Sequence, residues 1–449
     1  MVPSRFRTRL PRAAAITAMV VALGTPVGSA SATAIPAATV DGSAPDRSPS
    51  VAESRGGGHG QAWSGSWATA PQWPMPSNEW LGPNWSMDGF GGQSVRQVVR
   101  LSTGGSHLRI RLSNLYGTMP LRVTGATIAK TGVGAAIRPG TMLPLTFGHA
   151  PHATIPPGQT LNSDAVPLSA APLERLTVTL YFAEPTGPAT FHQGGLTTTY
   201  RAVGDHRFDN GAEAYAGGTS HSWYYLTGVD VAGGPQAARG AVVAFGDSIT
   251  DGAISTPDAD NRYPDELAER LVAAGKPIGV LNAGINGNMV LTDSPCFAGD
   301  KGVGRFTRDA LDQPGVRAAI VLEGINDIVP SGDIGCGAPP LLTAEQIIEG
   351  HRELIRAAHA RKIKIIGATL TPIKGNDLYY SVQNEAVRDE VNQWIRSGGE
   401  YDAVVDLDRV LADPEDSDAM RPAYAAEDKL HPNDAGMRAM ASAINLRIL

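Results

Sequence analysis

Near residue 240 the hydrophobic pattern of this 449-residue chain changes period, and that change constrains the fold more than any other feature. Downstream, apolar runs of strand length recur at 241–245 (AVVAF), 278–282 (IGVLN), 318–322 (AAIVL), 363–370 (IKIIGATL) and 403–407 (AVVDL). Between them the period lengthens to that of a helix. Ile347, Ile348, His351, Leu354, Ile355 and Ala358 share one helical face, Val387, Val391, Trp394 and Ile395 share another, and a last helix is expected from Asp434 to about Leu446. Strands alternating with helices predict an α/β fold over residues 240–449, a parallel sheet with helices on both faces. Such sheets bind ligands beyond the carboxyl ends of their strands.

Upstream, residues 62–235 read as all-β. The runs 95–102, 107–113, 121–129 and 176–182 alternate polar and apolar residues between Gly and Pro clusters, which predicts a jelly-roll-like β-sandwich. The first 34 residues read as a secretory signal peptide. Arg5, Arg7, Arg9 and Arg12 precede an apolar run at 13–24, and Ala30, Ser31 and Ala32 offer a cleavage site. That run is shorter than the roughly 20 residues a membrane span needs, and no later stretch reaches that length. Residues 35–61, rich in Ala, Pro, Ser and Gly, read as a flexible tether. The expected product is an extracellular protein with no integral membrane span.

Charge narrows the partners. The chain carries a net charge of −7, but residues 1–61 hold six Arg against three acids, so the remainder is more acidic still. An acidic exported body argues against nucleic acid as a partner. The two cysteines, Cys296 and Cys336, are expected to pair, closing a loop of about 40 residues worth up to roughly 4 kcal/mol.

Unusual residues gather at the predicted strand ends. The first strand leads into Phe245, Gly246, Asp247, Ser248, Ile249 and Thr250, which places Ser248 where backbone N–H groups can face an oxyanion. Thr250 stands where a nucleophile elbow of the Gly-x-Ser-x-Gly type has its second glycine, which disfavours those hydrolases. Asp247 is expected to be structural. The second strand ends in Asn282, Ala283, Gly284, Ile285, Asn286, Gly287 and Asn288, a segment able to turn with N–H groups exposed. The third ends in Glu323, Gly324, Ile325, Asn326 and Asp327, placing a neutral amide at the same rim. Near the C-terminus, Asp428 lies three residues before His431, and Pro432 holds His431 extended. A carboxylate at that spacing can take the imidazole Nδ1–H and leave Nε2 free as a base. Each segment alone also fits a helix cap, a glycine turn, a turn-forming Asn or an ordinary loop.

Taken in order, these segments resemble the GDSL/SGNH hydrolases, a family of serine esterases and lipases. Gly246 to Ile249 match its first block, Asn282 to Gly287 its second, Gly324 to Asp327 its third, and Asp428 with His431 its last. Asn286 stands where the family often has Ser, and Ile325 where it often has Gly. The resemblance covers residues 240–449. It implies a five-stranded flavodoxin-like sheet, Ser248 as nucleophile, His431 as base, Asp428 as its orienting acid, and Ser248, Gly287 and Asn326 as oxyanion-hole donors. It implies no metal or cofactor. The implied substrates are carboxylic esters: short acyl or acetyl groups, including those on polysaccharides, or lipid esters. A thioesterase or lysophospholipase would use the same site. A β-domain that binds carbohydrate beside an idle hydrolase half is the alternative from another class. Five tryptophans (Trp63, Trp67, Trp73, Trp80 and Trp85) are expected mainly in the β-core, with a glycan platform as the other use, and His149 with His152 are expected in a loop rather than on a metal.

Overall fold

The computed structural model describes residues 62–78, 82–234, 238–329 and 337–449. The expected leader and tether, Trp80, Cys336 and the expected Cys296–Cys336 bond lie outside the described residues.

The two larger sheets of the N-terminal region are antiparallel and face one apolar core. One has the order Ser64–Ala68, Leu226–Ala232, His107–Ser113, Thr160–Asn162; the other runs Thr219–Ser220, Thr199–Val203, Gln93–Arg100, Arg175–Phe182, Gly125–Lys130, Leu143–Leu145. Alternate residues of both point inward: Leu108, Ile110 and Leu112 from one sheet meet Val95, Val99, Val178 and Leu180 from the other. The run 121–129 is two strands rather than one. Leu121–Val123 pairs with Ala153–Ile155, whereas Gly125–Lys130 pairs with Arg175–Phe182, so the chain changes partner at Thr124. Trp67 and Trp85 are buried in this core, and Trp73 is exposed. His149 and His152 are exposed between two short strands, and among the described residues no group of His, Cys, Asp and Glu could hold a metal ion.

The C-terminal half is a parallel five-stranded sheet. Its strands are β1 (Ala241–Gly246), β2 (Gly279–Gly284), β3 (Val316–Leu322), β4 (Lys364–Ala368) and β5 (Ala403–Val405), in the spatial order β2-β1-β3-β4-β5. Along β1, Val243 and Phe245 enter the core under helices α2 (Ala344–Ala360) and α3 (Val382–Ser397). Val242 and Ala244 enter the opposite core, under α1 (Tyr263–Ala273) and α4 (Asp434–Ala443). This is the predicted three-layer sandwich. The last helix ends earlier than expected, because Ile444 turns extended. No helix among the described residues is long and apolar enough to cross a membrane.

The described residues pack as one unit. The β-rich region covers the outer edge of β2: Ser102 Oγ accepts the Val280 N–H at 2.9 Å, and Gly65 N–H donates to the Pro314 carbonyl at 2.8 Å. An edge strand left bare would present a row of unpaired backbone groups.

Candidate active site

The site forms where β1, β2 and β3 end. β1 exits into a one-turn helix, Ser248–Asp251, capped by Asp247, whose carboxylate accepts the Ile249 N–H at 2.9 Å. Gly246 has no room for a side chain, since a Cβ would sit 2.0 Å from the Leu322 carbonyl oxygen. Ser248 is therefore presented at the sheet's carboxyl edge, and its N–H, first in the helix, is not used in the helix ladder.

His431 reaches Ser248 from the turn before α4. Ser248 Oγ lies 2.8 Å from His431 Nε2, and His431 Nδ1 lies 2.5 Å from Asp428 Oδ2. The Asp428 carboxylate can only accept here, so Nδ1 carries the hydrogen and Nε2 takes the Ser248 hydroxyl proton in its hydrogen bond. The second Asp428 oxygen accepts the backbone N–H groups of His431 at 3.0 Å and Leu430 at 3.1 Å. Lys429 turns the chain back with a φ of 58°. Burial alone would raise the Asp428 carboxyl, but the His431 ring and these two N–H groups hold it below its ordinary value.

Gly287 occupies the third position of a turn closed by Asn288 N–H to the Ile285 carbonyl at 3.1 Å. Its φ is +74°, while Asn286 is not left-handed, the pattern of a type II turn. The Gly287 N–H belongs to the turn's central peptide and is not spent on the closing bond. Phe297 packs over it so closely that a Cβ would lie 2.4 Å from the ring. Asn326 sits in a short helix after β3, behind Gly324 at φ +115°. Its Nδ2 donates to the Asn288 carbonyl at 2.9 Å, and its Oδ1 accepts the Tyr379 hydroxyl at 2.7 Å. Tyr379 thereby fixes which face of the amide carries the N–H groups. One Nδ2 hydrogen is taken by the Asn288 carbonyl, and the second is not needed for that bond.

Beneath the rim lies a fully buried arginine that no motif announced. Arg305 donates to the carbonyls of Gly246 at 2.8 Å and Ala283 at 2.7 Å, and to Asn288 Oδ1 at 2.7 Å. It thus ties the ends of β1 and β2 to the glycine turn. Its guanidinium packs 4.0 Å from the Phe245 ring centroid and faces Glu323 at 3.4 Å and Asp309 at 3.5 Å. Burial pushes the nearby acids up: Asp247 and Asp327 to about 7, and Glu323 well above the usual range. Asp327 spends both oxygens on the loop after the glycine turn, accepting Val290 N–H at 2.7 Å and Leu291 N–H at 3.2 Å.

Ser248, His431 and Asp428 are joined by direct hydrogen bonds, and Asn326 is bonded to the residue after Gly287. Arg305 and Tyr379 were missed, since an arginine in a mixed helical stretch and a tyrosine after a loop carry no local signature.

The profile of the GDSL-like lipase/acylhydrolase family matches residues 244–439. No curated protein sequence matches the chain. Among solved structures, a GDSL-like lipase from Bacteroides thetaiotaomicron aligns at 18% identity over 47% of this chain and 88% of its own, with a TM-score of 0.35. A lipase/acylhydrolase from Enterococcus faecalis aligns at 19% identity over 45% of this chain and 92% of its own, TM-score 0.36. An acetyl xylan esterase, AlAXEase, aligns at 20% identity over 45% of this chain and 96% of its own, TM-score 0.33. The sequence profile and the parallel five-stranded sheet together identify the C-terminal half of this chain as a GDSL/SGNH acylhydrolase domain, and the enzyme as an esterase of that type.

Proposed function

We propose that the chain is an exported serine carboxylic-ester hydrolase that works through an acyl-enzyme on Ser248. The observation that carries this reading is the Ser248 Oγ–His431 Nε2 contact of 2.8 Å, continued to Asp428 at 2.5 Å. Ser248 Oγ attacks the ester carbonyl carbon as its proton passes to His431 Nε2. Asp428 holds the ring in the tautomer that can accept it and stabilises the imidazolium that forms. The oxyanion meets the backbone N–H groups of Ser248 and Gly287 and the second Asn326 Nδ2–H. His431 then protonates the departing alcohol. In the second half water attacks the acyl-enzyme, His431 takes its proton, and Ser248 is restored as the carboxylic acid leaves.

The substrate class is a carboxylic ester of a short acyl or acetyl group, including acetylated polysaccharide, or of a lipid. The basic start and short apolar run of residues 1–34 support export, and export favours a Cys296–Cys336 bond across the loops that follow the second and third motifs.

The test uses nitrophenyl esters of increasing acyl length with wild type and Ser248→Ala. Hydrolysis is expected to vanish in the variant, and a fluorophosphonate is expected to label Ser248 in the wild type. Full activity in Ser248→Ala overturns the reading. A maximum at acetate points to deacetylation, and a maximum at eight carbons or more to lipid.

A further inference from the structure

The β-rich region reaches the glycine turn through three buried residues that the triad does not use. His192, in the short strand Phe191–His192, lies between two acceptors: its Nδ1 is 2.9 Å from the Ala70 carbonyl and its Nε2 is 3.0 Å from Asp251 Oδ1. Trp223 stacks on its ring at 5.7 Å. The Ala70 carbonyl can only accept, so Nδ1 donates to it, and that bond turns Nε2 toward Asp251. Asp251 closes the one-turn helix that Ser248 opens. Its other oxygen accepts Asn286 Nδ2 at 2.6 Å. Asn286 Oδ1 is buried without a protein partner, which leaves the Asp251 bond to orient this side chain.

Asn286 and Gly287 flank the central peptide of the type II turn. Rotating that peptide by about half a turn converts type II to type I and reverses the direction of the Gly287 N–H. Gly287, as a glycine, offers little steric resistance to that rotation. A side chain anchored on the residue before it does resist.

We propose that His192, acting through Asp251 and Asn286, is a positioning residue that holds the Gly287 N–H toward the oxyanion, so that the β-rich region completes the catalytic geometry of the other half. The proposal rests on the reading of Gly287 as an oxyanion donor. All three residues are buried.

The experiment is a double-mutant cycle in the full chain with nitrophenyl acetate. His192→Ala and Asn286→Ala are each expected to lower kcat about tenfold or more, with KM changed less than twofold, because the contact they support forms with the transition state. The double variant is expected to be no slower than the slower single one, since both cut the same chain of contacts. Should His192→Ala not fold, His192→Gln fills the same space and takes its place. Losses that multiply, or a kcat unchanged in Asn286→Ala, overturn the proposal. Fluorophosphonate labelling of wild-type Ser248 separates the two readings. Absence of label defeats the serine mechanism itself, whereas normal labelling with multiplicative losses defeats only the role of His192.

Discussion

Replacing Asp428 by asparagine asks whether the carboxylate selects the tautomer of His431. The geometry dictates how the amide must sit. The Asp428 oxygen that faces the backbone accepts two N–H groups, from His431 at 3.0 Å and Leu430 at 3.1 Å. Only the amide oxygen can accept there, so in Asp428→Asn the NH2 group takes the place of Oδ2, which lies 2.5 Å from His431 Nδ1. A donor now faces Nδ1, and the ring answers by moving its hydrogen to Nε2. Nε2–H then points at Ser248 Oγ, and the base is gone, with the folded structure and the substrate pocket left intact. In serine hydrolases a tautomer inverted in this way costs about four orders of magnitude in kcat, or roughly 5.5 kcal/mol. Here part of that loss is offset if the amide flips, but the flip strands two backbone donors beside an NH2 group, at about 1–3 kcal/mol for each unsatisfied group. The expected loss is therefore three to four decades in kcat for nitrophenyl acetate at pH 8, with KM changed little and an unchanged far-ultraviolet circular dichroism spectrum. A loss smaller than tenfold in a folded variant would refute the argument, because His431 would then be acting as base without help from Asp428.

Four further outcomes follow from neighbouring contacts. Asn326→Ala removes the proposed oxyanion donor and is expected to lower kcat about 10²–10³-fold; Tyr379→Phe, which frees the amide to rotate but leaves it in place, is expected to cost about tenfold, both read from steady-state kinetics. Asp247 is an acid whose folded value is raised to about 7 by burial, with Asp327 adding to the rise and the Ile249 N–H and Arg305 opposing it. Its neutral form favours the folded state, so the wild type loses that contribution as pH rises from the unfolded value near roughly 4 through about 7. Asp247→Asn keeps the acceptor for Ile249 and is expected to gain about 1–4 kcal/mol relative to wild type between pH 4 and pH 8 in urea unfolding; a difference independent of pH would contradict this. Arg305→Met removes hydrogen bonds to three acceptors and leaves Glu323 without its cation, and is expected to destabilise by about 3–5 kcal/mol on the same assay.

The chemistry-bearing segments were legible because three of them put particular residue types at the ends of successive strands and the fourth puts them in the turn before the last helix, although the sheet sets β2 outside β1 rather than between β1 and β3. The alternation of short apolar runs with helical faces was enough for the parallel sheet, since residues on successive faces of β1 feed two different cores. Pairing partners were less legible. The run 121–129 alternates without a break, yet alternation says only which face is buried and not which strand lies beside it, so the switch at Thr124 was invisible. Contacts that cross between the two regions left no local trace either. His192 and Asp251 are 59 positions apart, and nothing around Phe191 or Gln193 marks the histidine as anything but a polar residue in a short strand.

The capped margin of β2 has a practical corollary. Expressing only the portion from Ala241 onward would uncover Val280 and its neighbours along that flank and remove His192 from the far side of Asp251. Such a fragment would tend to self-associate through its open flank. Swapping in unrelated front ends, a common way of retargeting secreted catalysts, would therefore have to carry this seam along or rebuild it.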